Sequence, residues 1–258
     1  MYTPGSIFKV VTTTCAVENM PDVQSFEYEC SGQTEIDGVK ITCPSTHGKM
    51  NFKECLANSC NCAFAELALQ LGPEKMEHYA ESFGVIAPVT FDGIETPAGN
   101  YEASNAPDID IGWSGAGQYN DLVNPCSFLT FVGAIANGGQ GVRPYLVASV
   151  GNYQAQTTAM DRILSEETAS VLQEFMRNNV VNNYGDENFP GFTVCAKSGT
   201  GQVGGELKAN AMFAGFVADE AYPLAFVVAV EEGGYGRTTC VPIIAKVLKS
   251  CTDVMDRS

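Results

Sequence analysis

Ala196-Lys-Ser-Gly-Thr-Gly-Gln202, then Ala211-Met-Phe-Ala-Gly-Phe-Val217, then Leu224-Ala-Phe-Val-Val-Ala-Val230: three apolar segments follow one another late in the chain. Turn signals at Gly204-Gly205 and over Asp219–Pro223 separate them, so the pattern predicts strands over Phe192–Val203, Ala211–Ala218 and Leu224–Glu231. The last two are nearly continuous apolar runs, as expected of strands covered on both faces. Val241 to Met255 then predicts a closing helix that covers one of those faces.

Outward from this sheet the apolar period changes to that of helices. Pro4-Gly5 breaks the chain, and Ser6 to Glu18 predicts a helix with an apolar stripe at Phe8, Val11 and Cys15. The turn-rich stretch 21–51 holds a hairpin signal, Asp37-Gly38, between Thr34-Glu35-Ile36 and Val39-Lys40-Ile41. Phe52 to Asn58 predicts a short helix. Asn61 to Leu71 predicts a second, stopped by Gly72, and Pro73 opens a third that runs to Phe83. Residues 85–123 are rich in Gly, Pro, Asp and Asn and read as loop. Asn124-Pro125 opens an apolar helix to Ala136, whose stripe Phe128, Phe131, Val132 and Ile135 is core; Ser165-Glu-Glu-Thr168 opens another, to Val181. The expected organisation is a single domain over 1–258: a helical lobe over about 19–190, sheet strands over about 192–232 and a closing helix over about 241–255.

Composition narrows the function. With 14 Lys and Arg against 30 Asp and Glu, the formal net charge is −16, which argues against nucleic acid and against docking on anionic lipid through a basic face. No run of 18 apolar residues is present. The ten cysteines show no zinc spacing: Cys60-x-Cys62 is tighter than C-x-x-C, and only His47 and His78 are available to complete a set. Most of the cysteines, Cys60 included, read as small buried apolar residues. Cys30 and Cys43, flanking the Asp37-Gly38 hairpin, are expected close together, bridged if the domain works outside the cell or else left as two free thiols.

Three short motifs carry chemistry, and each occurs once. In Ser6-Ile-Phe-Lys9, positions i and i+3 share a helix face, which brings the amine to the hydroxyl. A serine needs its proton removed to act as a nucleophile, and a lysine can remove it only with a depressed pKa. A helix N-terminus would also favour an oxyanion beside the Ser6 N–H. In Ser59-Cys-Asn61, in the break between two helices, Ser59 can relay a proton and Asn61 can bind an amide. In Lys197-Ser-Gly-Thr200, opening the first strand of the sheet, Lys197, Ser198 and Thr200 can bind a carboxylate, and Gly199 admits a close backbone. An exposed strand there can pair with an extended peptide. Trp113, the lone tryptophan, lies in a Gly-rich segment, where it is expected either to rim a cleft or to be partly buried for packing.

This motif set is that of serine β-lactamases and penicillin-binding proteins. The chain resembles the transpeptidase domain of a monofunctional (class B) penicillin-binding protein along essentially its whole length. Tyr2-Thr-Pro-Gly-Ser-Ile-Phe-Lys9 resembles the start of the nucleophile helix. His47-Gly48, then Leu56-Ala-Asn-Ser-Cys-Asn61 and Phe64, resemble the approach to the second motif. Gly115-Ala-Gly-Gln118, Asn124-Pro125 and Ala134-Ile-Ala-Asn-Gly138 resemble the following loop and helix. Ala196 to Gln202 and Met212-Phe-Ala-Gly-Phe216 resemble the third motif's hairpin.

The resemblance implies a penicillin-binding/serine β-lactamase-like α+β fold, an antiparallel sheet flanked by helices with an all-helical subdomain. It implies a serine D,D-transpeptidase that crosslinks peptidoglycan stem peptides at D-Ala-D-Ala, with D,D-carboxypeptidase side activity, and is acylated by β-lactams. The implied catalytic residues are Ser6, Lys9, Ser59 and Lys197. The oxyanion hole is formed by Ser6 and Thr200, and Asn61, Ser198, Gly199 and Thr200 bind substrate. No metal or cofactor is implied. The implied setting is cell-wall biogenesis and cell shape, on the extracytoplasmic face of a membrane-anchored protein, with a SEDS-family (shape, elongation, division and sporulation) glycosyltransferase as partner.

Two rival readings keep the same fold: a non-catalytic β-lactam sensor or interaction domain, and a serine β-lactamase. No Glu begins the E-x-x-L-N segment of class A β-lactamases, and Asn61 stands where class D enzymes carry Val. Turnover of a stem peptide separates an enzyme from a sensor. Two departures from the family carry expectations. Gly201 stands where Ala is commoner, which would loosen the strand. The family's strands and helix ahead of the nucleophile, its pedestal domain and its membrane anchor have no counterpart before Tyr2, so the chain is expected to be a truncated domain with Leu224–Val230 at an open sheet edge.

Overall fold

A computed structural model describes residues 1–256. Three strands, β11 (Val194–Gly201), β12 (Asn210–Val217) and β13 (Ala225–Val230), form an antiparallel sheet in the order β11-β12-β13. Their side chains divide by parity, as a pleated sheet requires. Cys195, Met212, Ala214 and Phe216 enter one core; Val194, Ala196, Ala211, Phe213 and Phe226 enter the other. That is why β12 is buried at every position and reads as one unbroken apolar run.

The second core is closed by α8 (Gly236–Met255), through Cys240, Val241, Ile244 and Leu248. This helix begins five residues before the predicted Val241, so Pro242 sits within its early turns instead of marking its start. The first core is the larger and is helical. Its centre is α1 (Lys9–Asn19), buried at every position from Lys9 to Ala16. Val10-Val-Thr-Thr-Thr14 is a poor helix former by propensity. Burial overrides this, and the hydroxyls are satisfied locally: Thr13 Oγ1 donates to Lys9 O and Thr14 Oγ1 to Val10 O, both at 2.7 Å. Packed around α1 are α2 (Phe52–Ala57), α3 (Asn61–Leu71), α4 (Pro73–Ser82) and α7 (Glu166–Asn179), while α6 (Pro125–Ala136) and α7 cover the sheet on this side.

The caps match the sequence signals. Asn51 forms a capping box with Glu54, Asn124 caps α6 ahead of Pro125, and Ser165 caps α7. Asp37 and Gly38, both at positive φ, turn β2 (Gln33–Ile36) into β3 (Val39–Thr42), as the hairpin signal predicts. Beside it β1 (Glu27–Cys30) pairs with β4 (Gly48–Asn51). Short hairpins complete the surface: β5 (Thr90–Phe91) with β6 (Ile94–Glu95), β7 (Gln140–Val142) with β10 (Ala159–Arg162), and β8 (Ser149–Val150) with β9 (Tyr153–Gln154).

Two expectations are corrected. The predicted loop 85–123 contains α5 (Asp108–Gly115), packed on α3. The first helix starts at Lys9, not Ser6: residues Gly5–Ile7 form a 3-10 turn, with Gly5 at φ +54. At the far side of the sheet β13 has β12 as its one strand neighbour among the described residues, so Leu224–Val230 does lie at a sheet edge.

Candidate active site

The turn that carries Ser6 lies directly against β11. A methyl group added to Gly5 would collide with the Thr200 backbone, and one added to Gly201 with the Thr3 carbonyl. Gly201 therefore does not loosen the strand, as its departure from Ala suggests; it lets the Thr3–Gly5 segment approach the strand at backbone distance. This seam fixes the position of Ser6 next to Thr200.

Lys9, one turn after Ser6, is fully buried. Its Nζ lies 2.7 Å from Ser6 Oγ and 2.8 Å from Asn61 Oδ1, and 5.7 Å above the Phe64 ring. Burial lowers its pKa to about 7, against an opposing pull from the charges of Cys43, Cys60 and Cys62. Near neutral pH much of this amine is unprotonated, and its lone pair is within reach of the Ser6 hydroxyl proton. Asn61, the first residue of α3, is held at both ends of its amide, since Nδ2 donates to Thr42 O at 2.8 Å.

Lys197 is the second buried amine. It donates to Ser59 Oγ at 3.1 Å and to Ser198 O at 3.0 Å. Burial, with the Lys9 charge adding to it, holds its pKa well below that of an ordinary lysine. Ser59, in the break between α2 and α3, occupies the left-handed region at φ +55, a strained conformation.

Thr200 O accepts from Gln118 Nε2 at 3.1 Å on the strand edge away from β12. The N–H and C=O of one strand residue point the same way, so the Thr200 N–H faces that edge too, beside the Ser6 turn. The Ser198 N–H, on the same edge, is already taken: it donates to the Tyr184 hydroxyl at 2.8 Å, which in turn donates to Ser198 Oγ at 3.0 Å.

All these groups open on a cleft of about 460 Å³. Ser6, Ser59, Asn61, Ser198 and Thr200 line it, while Lys9, Lys197 and Gly199 stand behind, buried. Trp113, on α5, rims the cleft, one of its two expected places. Sequence reasoning passed over Gln118, Tyr184, Tyr235 and Arg237. Gln118 lay within a recognised segment without an assigned role. Arg237, in the first turn of α8, puts a cation on the rim of an acidic chain, and no local pattern marks it.

The cysteines also depart from their reading. Cys60 is more than a space-filler: as N-cap of α3 its Sγ accepts the Ala63 N–H at 3.4 Å. Cys30 and Cys43 do come together, though as two of four clustered free thiols, with Cys60 and Cys62. Motif spacing could not find this group, because its members come from three separate segments.

The sequence model of the penicillin binding protein transpeptidase domain family matches residues 1–249. Stage V sporulation protein D of Bacillus subtilis is 27% identical, over 96% of this chain and 42% of that protein. Peptidoglycan D,D-transpeptidase PbpA of Mycolicibacterium smegmatis is 28% identical, over 90% of this chain and 50% of that protein. The chain thus spans half or less of the length of these relatives. Among solved structures, the D,D-transpeptidase domain of a peptidoglycan glycosyltransferase from Eggerthella lenta superposes with a TM-score of 0.86 at 25% identity, covering 98% of this chain and 66% of that one. A ceftriaxone acyl-enzyme of penicillin-binding protein A from M. tuberculosis shares the fold, with a TM-score of 0.88 at 23% identity over 96% of this chain and 60% of that one.

Proposed function

The chain belongs to the penicillin-binding-protein transpeptidase family, and from that footing we propose that it is a serine D,D-transpeptidase acting on peptidoglycan stem peptides. One observation carries the reading: a fully buried lysine, with its pKa lowered to about 7, lies 2.7 Å from the hydroxyl of Ser6. Lys9 takes the Ser6 proton as Oγ bonds to the carbonyl carbon of the penultimate D-Ala. The N–H groups of Ser6 and Thr200 stabilise the resulting oxyanion. The C–N bond breaks, and the leaving D-Ala amine receives its proton through Ser59, which Lys197 holds. An amine from a second stem peptide then takes the acyl group, and Ser6 recovers its proton; water in place of that amine gives carboxypeptidase activity. Asn61 binds the peptide amide, and Thr200 and Ser198 receive the terminal carboxylate, with Arg237 on the rim to add charge; Gly199, expected to bind substrate, instead gives room to the turn that carries Ser6, since a methyl group there would collide with the Pro4 carbonyl.

β-Lactams acylate the same serine in this reading, which the match to the penicillin binding protein family supports, while the PbpA relative's name supports the transpeptidase reaction. No helix of the described residues is long and apolar enough to cross a membrane. An extracytoplasmic setting is the family's, and a SEDS glycosyltransferase partner rests on resemblance alone; co-purification with the full-length protein tests it. The test of the chemistry is labelling with a fluorescent penicillin and mapping of the adduct by peptide mass spectrometry. The adduct is expected on Ser6 and absent from Ser6→Ala; an adduct on Ser59 or Ser198 would refute the reading. Release of D-Ala from a stem peptide distinguishes an enzyme from a sensor.

A further inference from the structure

Cys30 ends β1, Cys43 follows β3, and Cys60 and Cys62 occupy the N-cap and first turn of α3. Their four Sγ atoms all lie within 4.8 Å of one another. Cys43 Sγ is 3.7 Å from Cys60 Sγ and 3.5 Å from Cys62 Sγ, so it faces two near-equal neighbours and not a single disulfide partner. A tetrahedral ion with metal–sulfur bonds of about 2.3 Å requires sulfur–sulfur edges of about 3.8 Å. The cluster already has nearly those dimensions, the size of a shell around one ion and too small to enclose an iron–sulfide core.

The surroundings suit a charged tetrathiolate. The Gly32 N–H points at Cys30 Sγ and the Ala63 N–H at Cys60 Sγ, each at 3.4 Å; backbone donors of this kind orient sulfur ligands. Cys60 and Cys62 lie at the positive end of an eleven-residue helix. Cys30, Cys60 and Cys62 are buried, whereas Cys43 is half-buried and lines the cleft, which leaves one side for an ion to enter. Cys15, Cys55 and Cys240 are also buried but belong to no such group among the described residues, so burial alone does not gather thiols here.

We infer that Cys30, Cys43, Cys60 and Cys62 form a closed tetrathiolate site for one zinc ion. Loading is an acid–base exchange with no change of oxidation state: four S–H bonds are lost, four Zn–S bonds form, and four protons are released for each Zn²⁺ taken up, leaving a site of charge −2. With four protein ligands the ion has no open position, so its role is structural. It would tie the end of β1 and the exit of β3 to the start of α3. Cys60 stands between Ser59 and Asn61, so the ion would anchor the loop that carries both.

The chain purified under reducing conditions without chelator, and analysed by inductively coupled plasma mass spectrometry, should hold about one zinc. Cys43→Ser/Cys62→Ser should lower that content at least about tenfold, while Cys126→Ser, outside the cluster, should leave it unchanged. A measurement that needs no variant guards against misfolding. Wild-type apoprotein titrated with Co²⁺ should develop the absorption of tetrahedral tetrathiolate cobalt at one equivalent, and zinc should raise its Tm. Three results would overturn the inference: a disulfide between any two of the four in freshly purified protein; no zinc, no cobalt spectrum and ten free thiols; or one iron per chain in zinc's place. None of these readouts depends on transpeptidase activity, so the site and the proposed reaction stand or fall separately.

Discussion

The two polar motifs that face Ser6 are held by opposite means. Lys197-Ser-Gly-Thr200 belongs to a strand whose pairing runs unbroken from Val194 opposite Val217 to Gly201 opposite Asn210. Backbone hydrogen bonds set its position, and they do not depend on which side chains it carries. Ser59-Cys-Asn61 lies in a break between helices, with Ser59 in a strained conformation. Two backbone bonds, Ser59 N–H to Leu56 O and Cys60 N–H to Cys55 O, close the turn, and side chains hold the rest: Asn61 to Lys9 and Thr42, Ser59 to Lys197, Cys60 to Ala63. A ladder absorbs the loss of one polar atom, whereas a loop tied at its side chains does not. The same chemistry is therefore fragile on one wall of the cleft and robust on the other.

The largest expected effect is at the residue both walls converge on. Lys9→Met should slow acylation by a fluorescent penicillin about 10²–10⁴-fold, the usual worth of a general base, with no fall in Tm, because an apolar chain of similar length replaces a buried amine. A wild-type rate would remove Lys9 from the chemistry.

Next comes the asymmetry itself. Asn61→Ala cuts the tie to Lys9 and the tie to Thr42, and should cost about 10–100-fold in acylation rate, as loss of a hydrogen bond to a charged group does. Ser198→Ala on the strand should cost less, about 5-fold, since Thr200 still receives the carboxylate and the Ser198 N–H still holds Tyr184. Equal losses would break the comparison.

A pH profile sharpens it. The Lys9 pKa is lowered, so below about 7 the amine is protonated and cannot accept the Ser6 proton. The acylation rate should rise by about tenfold per pH unit up to that value and then level off. Lys197 from β11, and Cys43, Cys60 and Cys62 from the β3 exit and α3, are the titratable groups that share this environment. A profile flat between pH 5 and 8 would contradict the assignment.

The smallest effects are on stability. Ser59→Gly releases the left-handed strain but removes the oxygen that accepts from the buried Lys197 amine, so the two offset and Tm should move little, while acylation falls with the lost hydroxyl. Gly201→Ala should lower Tm, because its methyl meets the Thr3 carbonyl. Thermal melts of both variants decide the matter.

What the sequence disclosed, and what it hid, follows from the range of each interaction. Asn61–Leu71 with its Gly72 stop, the Asn124-Pro125 entry to α6 and the Asp37-Gly38 turn were legible because caps and turns act over a few residues. The three motifs around Ser6 were legible as short patterns, although nothing in them foretold how they would meet. The helix α5 was not legible: Gly112 and its neighbours read as loop. In the fold Gly112 is a contact surface, its bare Cα admitting Ile36, Ile41 and Ala65, so tertiary packing and not propensity makes the helix. The four-thiol cluster was hidden for the same reason, since only the folded β1, β3 and α3 bring its parts together.

Gly5 and Thr200 touch, yet nearly two hundred residues of chain separate them. Closing a loop of that length costs entropy before any contact at its mouth repays it, so this contact belongs among the late events of folding. The pairing of the Ser6 turn with Thr200 is then a record of the whole intervening chain having found its place. A molecule with native helices but an undocked first segment would have every motif and no competent serine. Penicillin labelling after refolding would therefore count finished molecules, where circular dichroism would count helices.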